Sequence, residues 1–228
     1  MKILLVAATS FEIRPLLGKM TFLEKTDDYL EKYQVRNTNV HILVPGVGMM
    51  FTAFHLGRQL LCEKYDFAVN AGICGSYSPS LPIGSVVEIV EDCVSELGAE
   101  DHDRFLTMFD LGLMDPESIP YKNGKLVNSL PISSKSIDKL PKTKGITVNT
   151  VHGNTESIER IKKFFSPETE TMEGAAFLYS CLLSGVPNTQ VRAVSNFVEE
   201  RDRSRWNLDL AMKNLNQVLT SVIREITE

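Results

Sequence analysis

The architecture of this chain follows from the stretch Phe67-Ala68-Val69-Asn70-Ala71-Gly72-Ile73-Cys74-Gly75-Ser76, an apolar run that leads into two glycines. The start of the run is too apolar to have a solvent face, which is typical of a strand buried within an α/β sheet. The glycines let backbone N–H groups approach a ligand at the carboxyl edge of that sheet. By itself the pattern is ambiguous, because tight strand-to-helix turns without a functional role use the same residues.

Similar patterns predict the other elements. Further strands are predicted at residues 3–7, 40–44, 86–90, 146–151 and 190–194, with a hairpin arm at residues 29–36. Helices are predicted where apolar residues recur at three- and four-residue steps, at residues 50–61, 158–165, 173–185 and 208–226. Strands that alternate with helices predict an α/β sheet covered on both faces.

Residues 101–143 break this alternation with Pro116, Pro120, Pro131 and Pro141. We expect a single domain over residues 1–228 with a loop-rich insertion at this point, which would serve as a pocket lid or a subunit contact.

The composition favours a small-molecule partner. The chain has 228 residues, a net charge of -5 and 43% hydrophobic residues, which fits a globular protein. A nucleic-acid surface needs clustered Lys and Arg, so no nucleic-acid partner is expected. The N-terminal apolar run is short and leads into Glu12 and Arg14 without a cleavage region, and no run approaches the ~18 apolar residues of a membrane span. No membrane partner is expected.

The cysteines indicate a reducing environment. They form no C-x-x-C pair and lie in mostly apolar surroundings, so neither a zinc site nor a disulfide framework is predicted for Cys62, Cys74, Cys93 and Cys181. Reduced thiols and a cytoplasmic location are expected. The sequence predicts no metal and no cofactor.

Three polar residues, Glu12, Glu173 and Asn196, follow or end predicted strands and should meet at one edge of the sheet. With their surrounding motifs they resemble the purine nucleoside phosphorylase and methylthioadenosine/S-adenosylhomocysteine nucleosidase superfamily. The matching motifs are Gly46-Val47-Gly48, Ala71-Gly72-Ile73-Cys74-Gly75, Met172-Glu173-Gly174 and Arg192-Ala193-Val194-Ser195-Asn196. The resemblance implies a three-layer α/β/α fold with a central mixed, twisted sheet, like that of nucleoside phosphorylases.

The resemblance implies roles for the two acids. Met172 would pack against the ribose, and Glu173 would accept hydrogen bonds from its 2′- and 3′-hydroxyls, as a carboxylate can. Glu12 would be the general base that activates the nucleophile at the anomeric carbon. Without the motifs, both glutamates would be interpreted as ordinary acids in the first turn of a helix.

Further residues would complete this site. Arg192 and Ser195 lie inside the matched motif and would orient the polar groups and the closing loop. Gly75, Val151 and His152 would line the base, although a histidine at a strand end is equally compatible with a satisfied polar residue.

Water is the predicted nucleophile. Phosphorylases of this superfamily hold phosphate partly with arginines near the two glycine loops. Here Met49 and Met50 follow Gly48, and Asn70 stands where an arginine commonly precedes the second loop. Because these phosphate anchors are missing, the sequence predicts a nucleosidase.

Asn196 is predicted to select the purine. Adenine-cleaving members carry Asp at this position, whose carboxyl can donate a proton to N7 and accept from the 6-amino group. The amide of Asn196 can instead donate to a 6-oxo oxygen while its carbonyl accepts from a protonated N7. A buried donor that faces a 6-amino group is costly, so a 6-oxopurine nucleoside is the expected substrate.

Two further stretches, residues 97–103 with 109–112 and residues 195–206, resemble the futalosine hydrolase subfamily, whose members release hypoxanthine from futalosine on a route to menaquinone. Futalosine carries a benzoate on its 5′ side, which needs a cation and an apolar wall. The candidates are Arg201, Arg203 and Arg205 for the cation and Phe197 or Trp206 for the wall. A charge-rich loop of this kind is also compatible with simple solvation.

Three alternatives remain open at this point. They are a methylthioadenosine/S-adenosylhomocysteine nucleosidase that tolerates Asn196, a nucleoside phosphorylase with other phosphate anchors, and a noncatalytic nucleoside-binding protein. The last would be expected to lack the pair Glu12 and Glu173. The resemblance also implies a homo-oligomer, a dimer or larger, in which a neighbour completes the pocket.

Overall fold

The computed structural model describes residues 1–228, with strands and helices alternating along most of the chain. The strands are β1 (Lys2–Val6), β2 (Thr21–Lys25), β3 (Leu30–Val35), β4 (Thr38–Leu43), β5 (Phe67–Ser76), β6 (Val86–Asp92), β7 (Gly98–Asp101), β8 (Arg104–Thr107), β9 (Tyr121–Lys122), β10 (Lys125–Val127), β11 (Lys142–Thr147), β12 (Thr169–Thr171) and β13 (Asn188–Phe197). The helices are α1 (Ser10–Leu17), α2 (Met49–Cys62), α3 (Lys135–Asp138), α4 (Thr155–Phe165), α5 (Gly174–Leu183) and α6 (Leu208–Thr227).

Strand β5 lies at the centre of an 11-stranded mixed sheet. Its first half pairs in parallel with β1, nearly its whole length pairs in parallel with β13, and its end pairs antiparallel with β12. Strand β13 also pairs antiparallel with β6, which continues through β11 back to β12, so these strands close into a ring. The predicted three-layer α/β/α class with a central mixed sheet is confirmed. The ring itself was not indicated by the apolar runs.

Helices cover both faces of this sheet. Leu16 of α1 and Leu219 of α6 pack in one buried cluster with Val69 of β5. On the other face, Leu56 of α2 and Phe177 of α5 pack against β1 in a second cluster. Burial of each such side chain contributes roughly 1.5–3 kcal/mol, so the two layers hold the strand ends in fixed relative positions.

One predicted strand, at residues 146–151, is wrong in its bounds, because β11 ends at Thr147. Its pairing with β6 begins at Lys142, in a segment whose lysines hide the strand from an apolar criterion. Val151 and His152 therefore lie in the loop that follows β11, next to the carboxyl edge of the sheet.

Helix α2 presents apolar side chains on both of its sides. Leu56 is buried, but Met50, Phe54 and Leu61 are 70%, 63% and 90% exposed. The predicted helical spacing is thus correct, while only part of the stripe packs on the sheet. None of the helices combines the length and the apolar composition that crossing a membrane requires.

The segment at residues 101–143 consists mostly of turns, with short elements between them. It contains β8, β9, β10 and α3, and β10 joins the main sheet beside β6. The segment is therefore tied to the edge of the sheet by hydrogen bonds.

Candidate active site

A cavity of about 250 Å³ lies at the carboxyl ends of β1, β5 and β13. The structure brings most of the sequence-predicted site residues onto its wall, namely Glu12, Gly75, Val151, Met172, Glu173, Ser195 and Asn196. Arg192 and His152 do not lie on the wall. Val47, Ile73 and Cys74 of the glycine motifs also line it. The wall further contains residues that the sequence did not single out, namely Ala8, Thr9, Phe11, Glu170, Thr171, Leu208 and Met212.

Glu12 is held at the start of α1 by several donors. Its Oε2 accepts from the backbone N–H and the hydroxyl of Thr9, at 3.0 and 3.1 Å, and its Oε1 accepts from the Ile73 N–H at 3.1 Å. The same carboxylate completes the capping box of α1, so its first-turn role and its place in the cavity coexist. Burial raises the pKa of Glu12, and the positive charge of Arg192 opposes this rise. A raised pKa suits a carboxylate that takes a proton from water.

Glu173 is oriented from two directions. The Gly48 N–H donates to its Oε1 at 3.1 Å, and the Arg192 guanidinium donates to its Oε2 at 3.3 Å. Gly48 has a φ of 113°, which a residue with a side chain rarely adopts, so the glycine loop is needed to aim this amide. Each carboxylate oxygen keeps a free acceptor site, which suits the two hydroxyls of a vicinal diol.

Arg192 lies behind the cavity wall and is 1% exposed. Its guanidinium donates to Glu173, to the Ile73 carbonyl at 3.4 Å and to the side-chain oxygen of Asn70. Gly72 provides the space, since a Cβ there would lie 2.4 Å from Nη1 of Arg192. Arg192 therefore positions Glu173, and its membership of the substrate-binding set stays a prediction.

The amide of Asn196 has one defined orientation. Its Nδ2 donates to the Phe197 carbonyl at 2.9 Å, and the Ser195 hydroxyl donates to its Oδ1 at 2.8 Å. Because the Phe197 carbonyl can only accept, it must face the nitrogen of the amide. One N–H and one carbonyl lone pair of Asn196 remain for a ligand. Gly75 leaves room for Val198 beside this amide, since a Cβ at Gly75 would lie 2.7 Å from Cγ2 of Val198.

The ring of His152 is bound beside the cavity. Its Nδ1 bonds to Oε2 of Glu170, which also accepts from the Tyr77 hydroxyl at 2.6 Å. The His152 backbone N–H donates to Oε1 of Glu170 at 2.9 Å. Burial, reinforced by the negative charge of Glu170, raises the pKa of Tyr77. His152 is thus a partner of Glu170, which lines the cavity, and a contact of His152 with the base stays a prediction.

A buried polar network fixes the helix that follows Glu173. The Gly174 N–H donates to the Thr171 hydroxyl at 3.2 Å, and the Ala175 N–H donates to the Thr147 hydroxyl at 2.7 Å. Thr147 in turn donates to Asp92 at 2.8 Å. Asp92 is completely buried, which raises its pKa to about 6.

The arginines predicted to meet a substrate carboxylate do not reach the wall. The Arg201 and Arg203 guanidinium groups lie 5.2 and 5.8 Å from the ring centroid of Trp206. Arg205 pairs with Glu199 at 2.9 Å. Trp206 does line the cavity. The geometry therefore fits Trp206 as an apolar wall better than it fits the three arginines as carboxylate partners.

The family model described as the phosphorylase superfamily matches residues 2–224. This chain belongs to the phosphorylase superfamily. The resemblance inferred from the glycine loops and the Met172-Glu173-Gly174 motif is thereby confirmed.

Curated proteins similar to this superfamily member carry two kinds of name. A futalosine hydrolase of Streptomyces coelicolor is 32% identical over 158 residues, which cover 69% of this chain and 65%, just under two thirds, of that protein. A 5′-methylthioadenosine/S-adenosylhomocysteine nucleosidase of Geobacillus kaustophilus is 25% identical, covering 98% of this chain and 97% of that protein. The crystal structure of the corresponding nucleosidase of Colwellia psychrerythraea, in complex with adenine, has a TM-score of 0.79 at 20% identity and covers 99% of this chain and 95% of its own. It shares the fold.

Proposed function

We propose that this protein hydrolyses the N-glycosidic bond of a 6-oxopurine nucleoside, and that futalosine is its substrate, with hypoxanthine released on a route to menaquinone. The observation that carries the proposal is the fixed amide of Asn196, held by Phe197 and Ser195. Its free N–H matches the 6-oxo oxygen, and its free lone pair matches a protonated N7. A 6-aminopurine would place donor against donor.

The geometry supports a hydrolytic mechanism. Glu12 takes a proton from a water molecule as the water oxygen bonds to the anomeric carbon and the bond from that carbon to N9 breaks. Glu173 accepts from the two ribose hydroxyls, and Met172 packs against the sugar. Because the amide of Asn196 has no acidic proton to give, N7 of the leaving base takes its proton from solvent or a bound water.

The wall of the cavity supports water over phosphate as the nucleophile. Neither lysine nor arginine is among its residues, whereas a buried phosphate dianion needs cationic partners. The positions where a phosphorylase would carry its phosphate anchors do not supply a cation either. The side-chain oxygen of Asn70 accepts from Arg192, and Met50 is largely exposed on α2.

A second candidate function is methylthioadenosine/S-adenosylhomocysteine nucleosidase activity. The Geobacillus relative, which is similar over nearly the whole chain, favours it. Asn196 argues against it, because the free N–H of its fixed amide would face the 6-amino group of adenine, donor against donor.

A substrate panel tests these readings. Purified protein is incubated with futalosine, inosine, methylthioadenosine and S-adenosylhomocysteine, with and without phosphate, and the released base and sugar are identified by chromatography. We expect hypoxanthine from futalosine and a free sugar in both buffers. Adenine without hypoxanthine would support the second candidate, and a phosphate requirement would exclude hydrolysis.

A homo-oligomer is part of the same proposal. The exposed apolar side chains of Met50, Phe54 and Leu61 give α2 a surface suited to a second copy. Phe54→Glu should lower the mass measured by sedimentation velocity, and an unchanged mass would remove this face from the interface. We also place the protein in the cytoplasm, since its cysteines are all free.

A further inference from the structure

A second cavity, of about 420 Å³, adjoins the proposed nucleoside site. It lies between α1 and α6 and shares the side chains of Phe11 and Met212 with the first cavity. Phe11 is 53% exposed. The two cavities therefore meet at an apolar wall that faces both of them.

The groove is basic in an acidic protein. Arg14, Lys19 and Lys213 line it together with a single carboxylate, that of Asp209, whereas the whole chain carries a net charge of -5. None of these charged groups belongs to an ion pair. Lys19 donates to the Thr220 hydroxyl at 3.1 Å. Cations grouped in a groove without protein counter-charges are suited to an anionic ligand.

The direction of the bound nucleoside points to the same groove. Asn196 and Ser195 mark the base end of the first cavity, and Glu173 marks the side of the 2′- and 3′-hydroxyls. Phe11 and Met212 belong to the part of the wall that these residues leave free for the 5′ side, together with Ala8, Thr9, Val47, Trp206 and Leu208. The Arg14 guanidinium lies 5.8 Å from the Phe11 ring centroid, so a cation follows directly behind this wall.

We infer that the groove between α1 and α6 binds the 5′ substituent of the substrate, with its apolar part on Phe11 and Met212 and its carboxylate at Arg14, Lys19 and Lys213. The inference rests on the proposed function, since it assumes a nucleoside in the first cavity. Arg201 and Arg203 lie at similar distances from the wall residue Trp206, but neither they nor Arg205 lines either cavity. The cations that line the groove are therefore assigned as the carboxylate partners.

The test compares two substrates. The value of kcat/KM is measured for futalosine and for inosine, which lacks the 5′ substituent, and their ratio is the readout. Arg14→Gln and Lys213→Gln should each lower this ratio roughly fivefold, through a higher KM for futalosine, as expected for partly exposed charge pairs. Added salt should lower the wild-type ratio as well. Lys64→Gln, which removes an exposed cation outside the groove, is the matched control.

An unchanged ratio in the double variant Arg14→Gln/Lys213→Gln would overturn the inference. If the ratio falls in Arg203→Gln or Arg205→Gln and stays unchanged in the double variant, the loop arginines bind the substrate carboxylate. Binding is measured separately by calorimetry in the Glu12→Gln background, where turnover is not needed. Tighter binding of futalosine than of inosine, lost in the double variant, together with no wild-type turnover, would refute the proposed function and leave the groove assignment standing. Equal binding of the two nucleosides would refute the groove.

Discussion

The Arg192 guanidinium donates to the Glu173 carboxylate across 3.3 Å, and both side chains are buried. Arg192 also donates to the side-chain oxygen of Asn70. Asn70 stands at the position where a phosphorylase of this superfamily is expected to carry a phosphate-binding arginine. The guanidinium of Arg192 is thus engaged by groups of the protein itself, the Glu173 carboxylate and the Asn70 side-chain oxygen. Under the proposed function, the pair of Arg192 and Glu173 orients the carboxylate that would accept from the ribose hydroxyls.

Removal of this arginine should affect both binding and stability. Arg192→Leu leaves the Glu173 charge buried without its partner, which costs about 3 kcal/mol when a buried pair is broken. We expect a lower free energy of unfolding in urea and a KM raised more than kcat is lowered. The exposed Arg224→Leu is the matched control. A variant as stable as the wild type, with an unchanged KM, would contradict the positioning role.

Glu12 should set the acid limb of the pH profile. As a base it works only when ionised, and burial raises its pKa above its ordinary value of 4.5. Activity should therefore fall as the pH decreases through a midpoint above that value. Glu12→Gln keeps the shape of the side chain but should lower kcat by at least about a hundredfold. Near-normal turnover in this variant would exclude Glu12 as the base.

Asn196→Asp should shift the choice of base. The carboxyl group can donate to N7 and accept from a 6-amino group, so it removes the clash of donors with adenine. The ratio of kcat/KM for inosine to that for adenosine should fall roughly ten- to a hundredfold. Equal ratios in the two proteins would show that another residue selects the purine.

Asp92 should make stability depend on pH. Its pKa of about 6 lies above the ordinary 3.8, so its contribution is fully present below the unfolded-state pKa and is lost as the pH rises through the folded-state value. Between about pH 4.5 and 7.5 this amounts to roughly 2 kcal/mol. Asp92→Asn should remove that part of the pH dependence of unfolding in urea. Gln190, whose Oε1 has no partner, can accept from the new amide after its own side-chain amide rotates. A variant with the wild-type dependence would show that another group is responsible.

Much of the site was accessible to sequence reasoning because its residues follow recognisable strands. Glu12 and Glu173 follow β1 and β12, and Asn196 lies near the end of β13. The parallel pairings of these strands bring the three residues to one edge of the sheet. Periodicity does not report which face of a helix turns toward a neighbouring cavity. The sequence therefore could not identify Phe11 and Met212 as wall residues, because their position depends on the packing of α1 against α6.

Other features depended on tertiary contacts between distant segments. Arg192 falls within the motif of the site, yet its burial depends on the space left by Gly72, 120 residues earlier in the sequence. Glu170 lies in the three-residue strand β12, whose polar sequence gives no period to detect. Its partners Tyr77 and His152 come from two other loops.

The most direct test of the account compares futalosine with its 6-amino counterpart, each in phosphate-free buffer with the purified wild-type protein. The kcat/KM of base release is measured for both. The account predicts hypoxanthine and a free sugar from futalosine, with the 6-amino compound cleaved roughly a hundredfold less efficiently. Adenine released as efficiently as hypoxanthine, or no release without phosphate, would contradict it.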